Sequence, residues 1–404
     1  MTALRIVAVC MLVVAGGGCE KRSEFCNDNP EAPGCGGGSG TDSGPGSCSP
    51  ACAAPTPVCD DTNTCVACVT NDDCPSALEH TCSDVGDPLG KTCHGCESYA
   101  DCTDSSACLP TGECADKATT LYVKPNGGLD TNSCTLEAPC ASFAKILLLG
   151  LVNPTVVLIG STAEGIDLHS NLTILGAAGA KMGPIAVHGV RLVVAGVELS
   201  GSAVCVHAVE RDAASRFDRV QLDNCTMGGV QIDNGDITIT RSSIHDNVGF
   251  GIQLSANTTM YTITNTFVYM TNGTGQNGGV TLDGNGGMFA FNTVTANSNA
   301  NNATKAAGVQ CNVGIVTSSI VVGNAHLGAG SSNLIGATCT VDANNILDVD
   351  PATLHFTSDF KLADAQSAAI DKVNPMPSVP TDNLGTVRPQ GSNADTGAFE
   401  LRAP

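Results

Sequence analysis

Four short stretches decide the fold: Gly229-Val-Gln-Ile-Asp233, Gly251-Ile-Gln-Leu-Ser255, Gly279-Val-Thr-Leu-Asp283 and Gly308-Val-Gln-Cys-Asn312. Each begins with glycine and alternates apolar with polar residues, the period-2 pattern of a half-buried strand. A second strand follows each at a similar offset: Ile237 to Ile244, Tyr261 to Val268, Met288 to Val294 and Gly314 to Val321. The chain therefore repeats a coil of strands, and stacked coils make a solenoid. Val230, Ile252, Val280 and Val309 lie 22, 28 and 29 residues apart and share one side of their strands, so an inward aliphatic row is expected. With coils about 4.8 Å apart and about 24 residues each, Thr155 to Ile346 predicts about eight coils and a rod of about 40 Å. A core that narrow suits a chain with 42% hydrophobic residues, 3% aromatic ones and no tryptophan.

The turns support this register. Ile244, Val294 and Val321 are each followed three residues later by asparagine, Asn247, Asn297 and Asn324, while the Val268 coil carries Asn272 one place later. Stacked asparagines bond one another's amides and tolerate left-handed turns, so a structural ladder is expected rather than a ligand site.

Both ends of this region resemble a known group. Leu121-Tyr-Val-Lys-Pro-Asn-Gly-Gly128 and Glu137-Ala-Pro-Cys-Ala-Ser-Phe-Ala-Lys-Ile-Leu147 resemble the opening of bacterial right-handed β-helix proteins of the pectate-lyase-like superfamily. Asn345-Ile-Leu-Asp-Val-Asp-Pro351, Phe360-Lys-Leu362, Ser367-Ala-Ala-Ile-Asp371, Arg388-Pro-Gln-Gly391 and Asp395-Thr-Gly-Ala-Phe-Glu400 resemble its close. The resemblance implies an all-β, right-handed parallel β-helix over 118–404; it does not specify an activity. Read from the residues, both ends are caps. Phe143, Ile146, Leu147 and Leu149 recur at near-helical spacing, which predicts a short helix over the first coil between Ala141 and Leu149. The Gly/Pro-rich tail from Asp371 is expected to wrap the last coil and shield its sheet edges.

The N-terminus sets the compartment. Ile6 to Ala15 is an apolar run of ten preceded by Arg5, and Gly16-Gly-Gly-Cys19 is a small-residue cleavage site, so residues 1–18 read as a signal peptide. Cysteine directly after small residues resembles the bacterial lipobox, with Gly16 standing where leucine is usual, and implies lipidation at Cys19. Residues 19–47 form a Gly/Ser-rich linker. The expected location is extracytoplasmic, either tethered to the bacterial envelope by that lipid, at the outer membrane, or secreted.

Of 22 cysteines, Cys10 leaves with the signal and Cys19 takes the lipid, so an even 20 remain. Residues 48–117 repeat the spacing C-x2-C-x5-C at Cys65, Cys68, Cys74 and at Cys93, Cys96, Cys102. Cys65, Cys68, Cys93 and Cys96 approach zinc-ribbon spacing, but that scheme leaves each third cysteine without a role. An exported chain of this cysteine density is expected to form a small disulfide-rich stalk. In the rod, Cys134 with Cys140, Cys205 with Cys225 and Cys311 with Cys339 are the expected pairs.

With 18 basic and 39 acidic residues, the net charge of −21 excludes nucleic acid and disfavours anionic polymers. The outward positions of the four opening strands form two polar rows: Gln231, Gln253, Thr281, Gln310, and Asp233, Ser255, Asp283, Asn312. Such rows suit sugar hydroxyls, so a polysaccharide or cell-surface glycan is the expected partner. Asp233 and Asp283, two coils apart and hence about 9.6 Å, sit at the upper edge for an inverting glycosidase pair. The superfamily's enzymes are implied to carry calcium ligands with a basic residue, or Asn-Thr-Asp, Gly-His-Gly and Arg-Ile-Lys motifs; Arg241 and Lys305 lie off the outward rows, and the motifs do not occur in the rod. His169, His188, His207 and His245 read as scattered, so no metal site is expected. Asp342, Asp348 and Asp350 are the candidates for calcium. The expected function is a binding or structural surface lipoprotein; a divergent polysaccharide lyase or hydrolase and a passive spacer are the alternatives.

Overall fold

The computed structural model describes residues 58–59, 65–66, 68–69, 73–74, 81–82, 93–96, 99–211, 213–272, 278–300, 305–326, 331–336 and 338–402. The signal peptide, Cys19 and the linker lie outside the described residues. The described residues from Val66 onward make one compact unit. Its main body is a parallel β-helix of three sheets. The first sheet has eight strands, from Ile166–Leu168 to Leu334–Gly336. The second has ten, from Thr120–Val123 to Thr340–Val341, and the third has eight, from Lys181–Met182 to Ile346–Leu347. The chain visits the sheets in rotation, so the eight strands of the first sheet span seven full turns.

The expected inward row forms as read: Val230 pairs with Ile252, Ile252 with Val280, and Val280 with Val309. All four are buried in one continuous aliphatic core. The glycine that opens each of these strands has a steric cause. A Cβ on Gly229 would lie 2.7 Å from Ile244 Cγ2, and one on Gly279 or Gly308 would lie within 3.0 Å of the Asn297 or Asn324 amide. Glycine and asparagine are thus two sides of one corner.

The asparagine ladder exists and is buried. Asn297 Nδ2 donates to Asn324 Oδ1 (2.9 Å), Asn324 Nδ2 to the Val294 carbonyl (3.0 Å), and Asn247 accepts from the Cys225 amide (2.9 Å). Thr271 rather than Asn272 fills the intermediate rung, its hydroxyl donating to Asn297 Oδ1 at 2.7 Å. A second ladder lies at the corner between the second and third sheets: the Thr266 amide donates to Asn292 Oδ1, the Asn292 amide to Ser319 Oγ, and the Ser319 amide to Asn345 Oδ1. At that corner one residue per coil is left-handed, Arg219, Arg241, Asn265, Phe291 and Ser318, with φ between 49° and 55°. Non-glycine residues rarely adopt this conformation, and bonds across coils are what hold it here.

The N-terminal cap is the helix Phe143–Leu148. Ser142 caps it by accepting from the Lys145 amide, and Glu164 of the first coil accepts from the Phe143 and Ala144 amides (3.1 and 3.2 Å). Phe143 and Ile146 are buried against the core, whereas Leu149 is exposed. The tail from Asp371 differs from expectation. It runs back along the flank: Gly397 donates to the Ser318 carbonyl, Asn383 to those of Asn265 and Ser242, and Arg388 covers the Phe291 ring. The left-handed corner leaves carbonyls pointing outward, and the tail satisfies them.

The second cysteine unit also departs from a free stalk. Ala107 and Ala115 pack on Tyr122, Val157, Leu175 and Ala195 of the second sheet, and the Tyr122 hydroxyl donates to the Ser105 carbonyl (2.9 Å). The bridges Cys68–Cys82 and Cys74–Cys93, then Cys96–Cys108 and Cys102–Cys114, repeat one interleaved pattern. The zinc-ribbon candidates Cys68, Cys93 and Cys96 are therefore in disulfides.

In the body, Cys134–Cys140, Cys205–Cys225 and Cys311–Cys339 are bonded. Cys205 and Cys225 belong to one coil, where they join the start of a first-sheet strand to the end of a third-sheet strand inside the core. Opening this 20-residue loop by Cys205→Ala with Cys225→Ala is expected to cost about 3 kcal/mol. A urea midpoint unchanged from wild type would refute that cost.

Candidate functional site

The outward face of the first sheet carries its polar side chains in register. Asp167, Ala186, His207, Gln231, Gln253, Thr281 and Gln310 are successive partners in one row. Two residues further along each strand runs a second row containing His169, His188, Asp233, Ser255, Asp283 and Asn312. Backbone bonds from His188 to Leu168, Asp233 to Ala208, Ser255 to Ile232 and Asn312 to Leu282 fix it.

Asp233 is held from two sides. His207 Nε2 lies 2.7 Å from its Oδ2, and Gln231 Nε2 donates to its Oδ1 at 2.9 Å. Asp283 accepts from the Gly284 amide (2.8 Å) and from Asn312 Nδ2 (3.2 Å). Ser255 lies between them and donates to the Asp233 carbonyl (2.6 Å), so the two carboxylates are two strand spacings apart, about 9.6 Å. Both are members of hydrogen-bonded strips rather than a facing pair around an open gap.

The rows are not equally accessible. Thr281 is 8% exposed and Gln310 6% exposed, and Gln310 is tied to the Ala306 amide and to Asn312. Beside them Asn299 Nδ2 donates to the Ala306 carbonyl (3.3 Å). Gln231 and Gln253 remain half-buried at the open part of the face.

Where the face is open it is concave. A groove of about 410 Å³ is floored by Asp167, Ala186, His207 and Gln231 and walled by Pro184 and Met227. Ala186 pairs with Asp167 on one side and His207 on the other, and Met227 exposes most of its surface.

Next to the groove, residues that read as scattered come together. His169 and His188 stack at 4.5 Å with 16° between their planes; Asp167 approaches both, and Glu210 approaches His188. The signal was in the spacing: 169 to 188 is 19 residues and 188 to 210 is 22, each close to one coil. A search for helical or loop-type metal spacing does not test that period.

Arg241 has a structural role. With Arg219 it grips Asp218, whose side chain is fully buried. The carboxylates named for calcium serve separate local bonds: Asp342 accepts from Thr317, Asp348 from Asn333 Nδ2, and Asp350 caps the turn at Pro351–Leu354.

No family model and no curated protein matches this chain. Among solved structures it is similar to a pectate lyase, Pel9A, at 14% identity and a TM-score of 0.38, covering 70% of this chain and 96% of that one. It is also similar to a rhamnogalacturonan lyase at 11% identity and a TM-score of 0.31, covering 62% and 96%. Likeness at this level adds nothing to the β-helix already traced from its sheets and carries no chemistry across.

Proposed function

We propose that this chain is an extracytoplasmic surface protein whose first sheet binds a polar polymer, a neutral glycan in the first instance. The shallow groove that holds Asp167, His207 and Gln231 carries the reading, because it sets a few hydrogen-bonding side chains in a mostly apolar lining. The disulfides support an extracellular or envelope location. Lipidation at Cys19 would hold the protein at the envelope, most simply the outer membrane, through lipid alone. The net charge of −21 favours neutral over acidic glycans.

A lyase or hydrolase using Asp233 and Asp283 is the weaker reading, since each carboxylate is engaged by an amide, and Asp233 also by His207. The test is retention of the full chain on neutral and acidic polysaccharides in calcium, with reducing ends and unsaturated uronide absorbance read in the same samples. Retention without turnover is expected, weakened about tenfold or more by Gln231→Ala, the size of one or two lost hydrogen bonds. Turnover abolished by Asp233→Asn would establish an enzyme instead. Neither retention nor turnover would leave a passive spacer.

A further inference from the structure

We propose that Asp167, His169 and His188 bind one divalent transition-metal ion of the zinc class, with Glu210 as the outer partner that orients His188. The site adjoins the groove through Asp167 but does not depend on what the groove binds. Its three ligand atoms already converge. His188 Nε2 is 2.7 Å and His169 Nε2 3.6 Å from Asp167 Oδ1, and all three atoms lie within 4.8 Å of one another. Ligands around tetrahedral zinc stand about 3.3 Å apart, given bonds of about 2.0–2.1 Å. One spacing already fits, and the shorter one opens by about 0.6 Å as the ion replaces the hydrogen bond between the two ligands.

The outer partner is the more specific observation. His188 Nδ1 lies 3.3 Å from Glu210 Oε1 while Nε2 donates to Asp167 Oδ1 at 2.7 Å; an ion entering at Nε2 displaces that proton, and Glu210 then accepts from Nδ1–H on the far side of the ring. A metal-binding histidine characteristically donates its second nitrogen to a carboxylate in this way. The two histidines stand on adjacent coils, so the sheet fixes the spacing of their backbones, and the two-thirds-exposed His169 ring turns out of the ion-free stack to bring its lone pair onto the ion. Two imidazoles with one carboxylate select zinc, copper or nickel over calcium and magnesium, which prefer oxygen donors. Three protein ligands leave a coordination position for water, or for a group of a ligand in the groove that Asp167 also lines.

Because His169 and Asp167 are about two-thirds exposed, binding is expected in the micromolar range. The test is titration of chelator-treated full chain with Zn²⁺ by calorimetry, and with Co²⁺ by visible absorption. One equivalent is expected, with a tetrahedral cobalt spectrum. His188→Ala should abolish it, and Glu210→Gln should weaken it about 10- to 100-fold. The metal-free urea midpoint should stay unchanged in both, since these side chains face outward. Absence of Zn²⁺ binding would overturn the proposal. Equal stoichiometry and affinity in the His169→Ala/His188→Ala double variant would overturn it too, by placing the ion elsewhere.

Discussion

Arg388→Ala is expected to lower the unfolding free energy by about 3–5 kcal/mol, the cost of removing one partner from a buried ion pair. The Arg388 side chain is fully buried, as is that of Glu400, 2.9 Å away. Arg388 also donates to the carbonyls of Asp395 (2.9 Å) and Gly397 (2.8 Å) and to Asn265 Oδ1 (3.3 Å), and lies 4.5 Å over the Phe291 ring. Truncation would orphan two tail carbonyls and Asn265 Oδ1 and leave the buried Glu400 with the Gln390 and Asp395 amides but no cation beside it. Burial foremost pushes the Glu400 and Asp395 carboxyls up, and it pushes the Arg388 guanidinium down despite the attraction between them. The sign follows: a carboxyl raised on folding favours the folded state while protonated, and that contribution is lost as pH rises through its folded value. Mild acid should therefore narrow the gap between wild type and Arg388→Ala, because Glu400 takes up the proton. Urea midpoints at pH 7 and pH 4.5 measure both effects. A change below about 1 kcal/mol at pH 7 would show that the pair contributes nothing net to the tail.

Asp218→Asn is expected to cost about 2–4 kcal/mol, less than a fully buried pair because Arg219 and Arg241 each keep about a fifth of their surface in water. Asp218 accepts from Arg219 Nε (2.9 Å), from Arg241 Nε and Nη2 (2.8 and 2.7 Å) and from the Thr240 hydroxyl (2.8 Å). Removing the charge leaves two guanidinium groups facing each other. It also releases the left-handed corner at residues 219 and 241, where no glycine eases the backbone. Burial opposes the Asp218 charge most strongly among single causes, yet Arg241 and Arg219 together with the hydrogen bonds outweigh it and hold the carboxyl below its usual range. Its contribution is therefore present above the unfolded value, near pH 4, and lost as pH falls through the folded one. The difference between wild type and Asp218→Asn should shrink between pH 5 and pH 2, here because the wild type loses stability in acid, whereas the Arg388→Ala gap narrows because the variant regains it. A difference that stays constant over that interval would mean that Asp218 is not acting through its charge.

The sequence was most legible where one strand or one corner sets the rule. Alternation within five residues placed Val230, Ile252, Val280 and Val309 inside, and recurrence of that pattern at about one coil specified the solenoid. Asn247, Asn297 and Asn324 were legible as a ladder because the same turn recurs, and even cysteine counts indicated an oxidised framework. What only the tertiary structure decided are contacts whose sequence separations have no fixed value. Along the first sheet coils vary from 19 to 29 residues, so Asp167, His169, His188 and Glu210 meet without a regular motif, and Asp218 finds Arg241 23 positions away. The chain near Ala306 covers Gln310, and Arg388 reaches Asn265 across 123 residues, because loops and tail settle wherever the corner leaves carbonyls unpaired. Strand period and turn chemistry are local properties that a single coil already carries; the polar clusters depend on how each coil's length registers against the next, which is fixed only when the sheets stack.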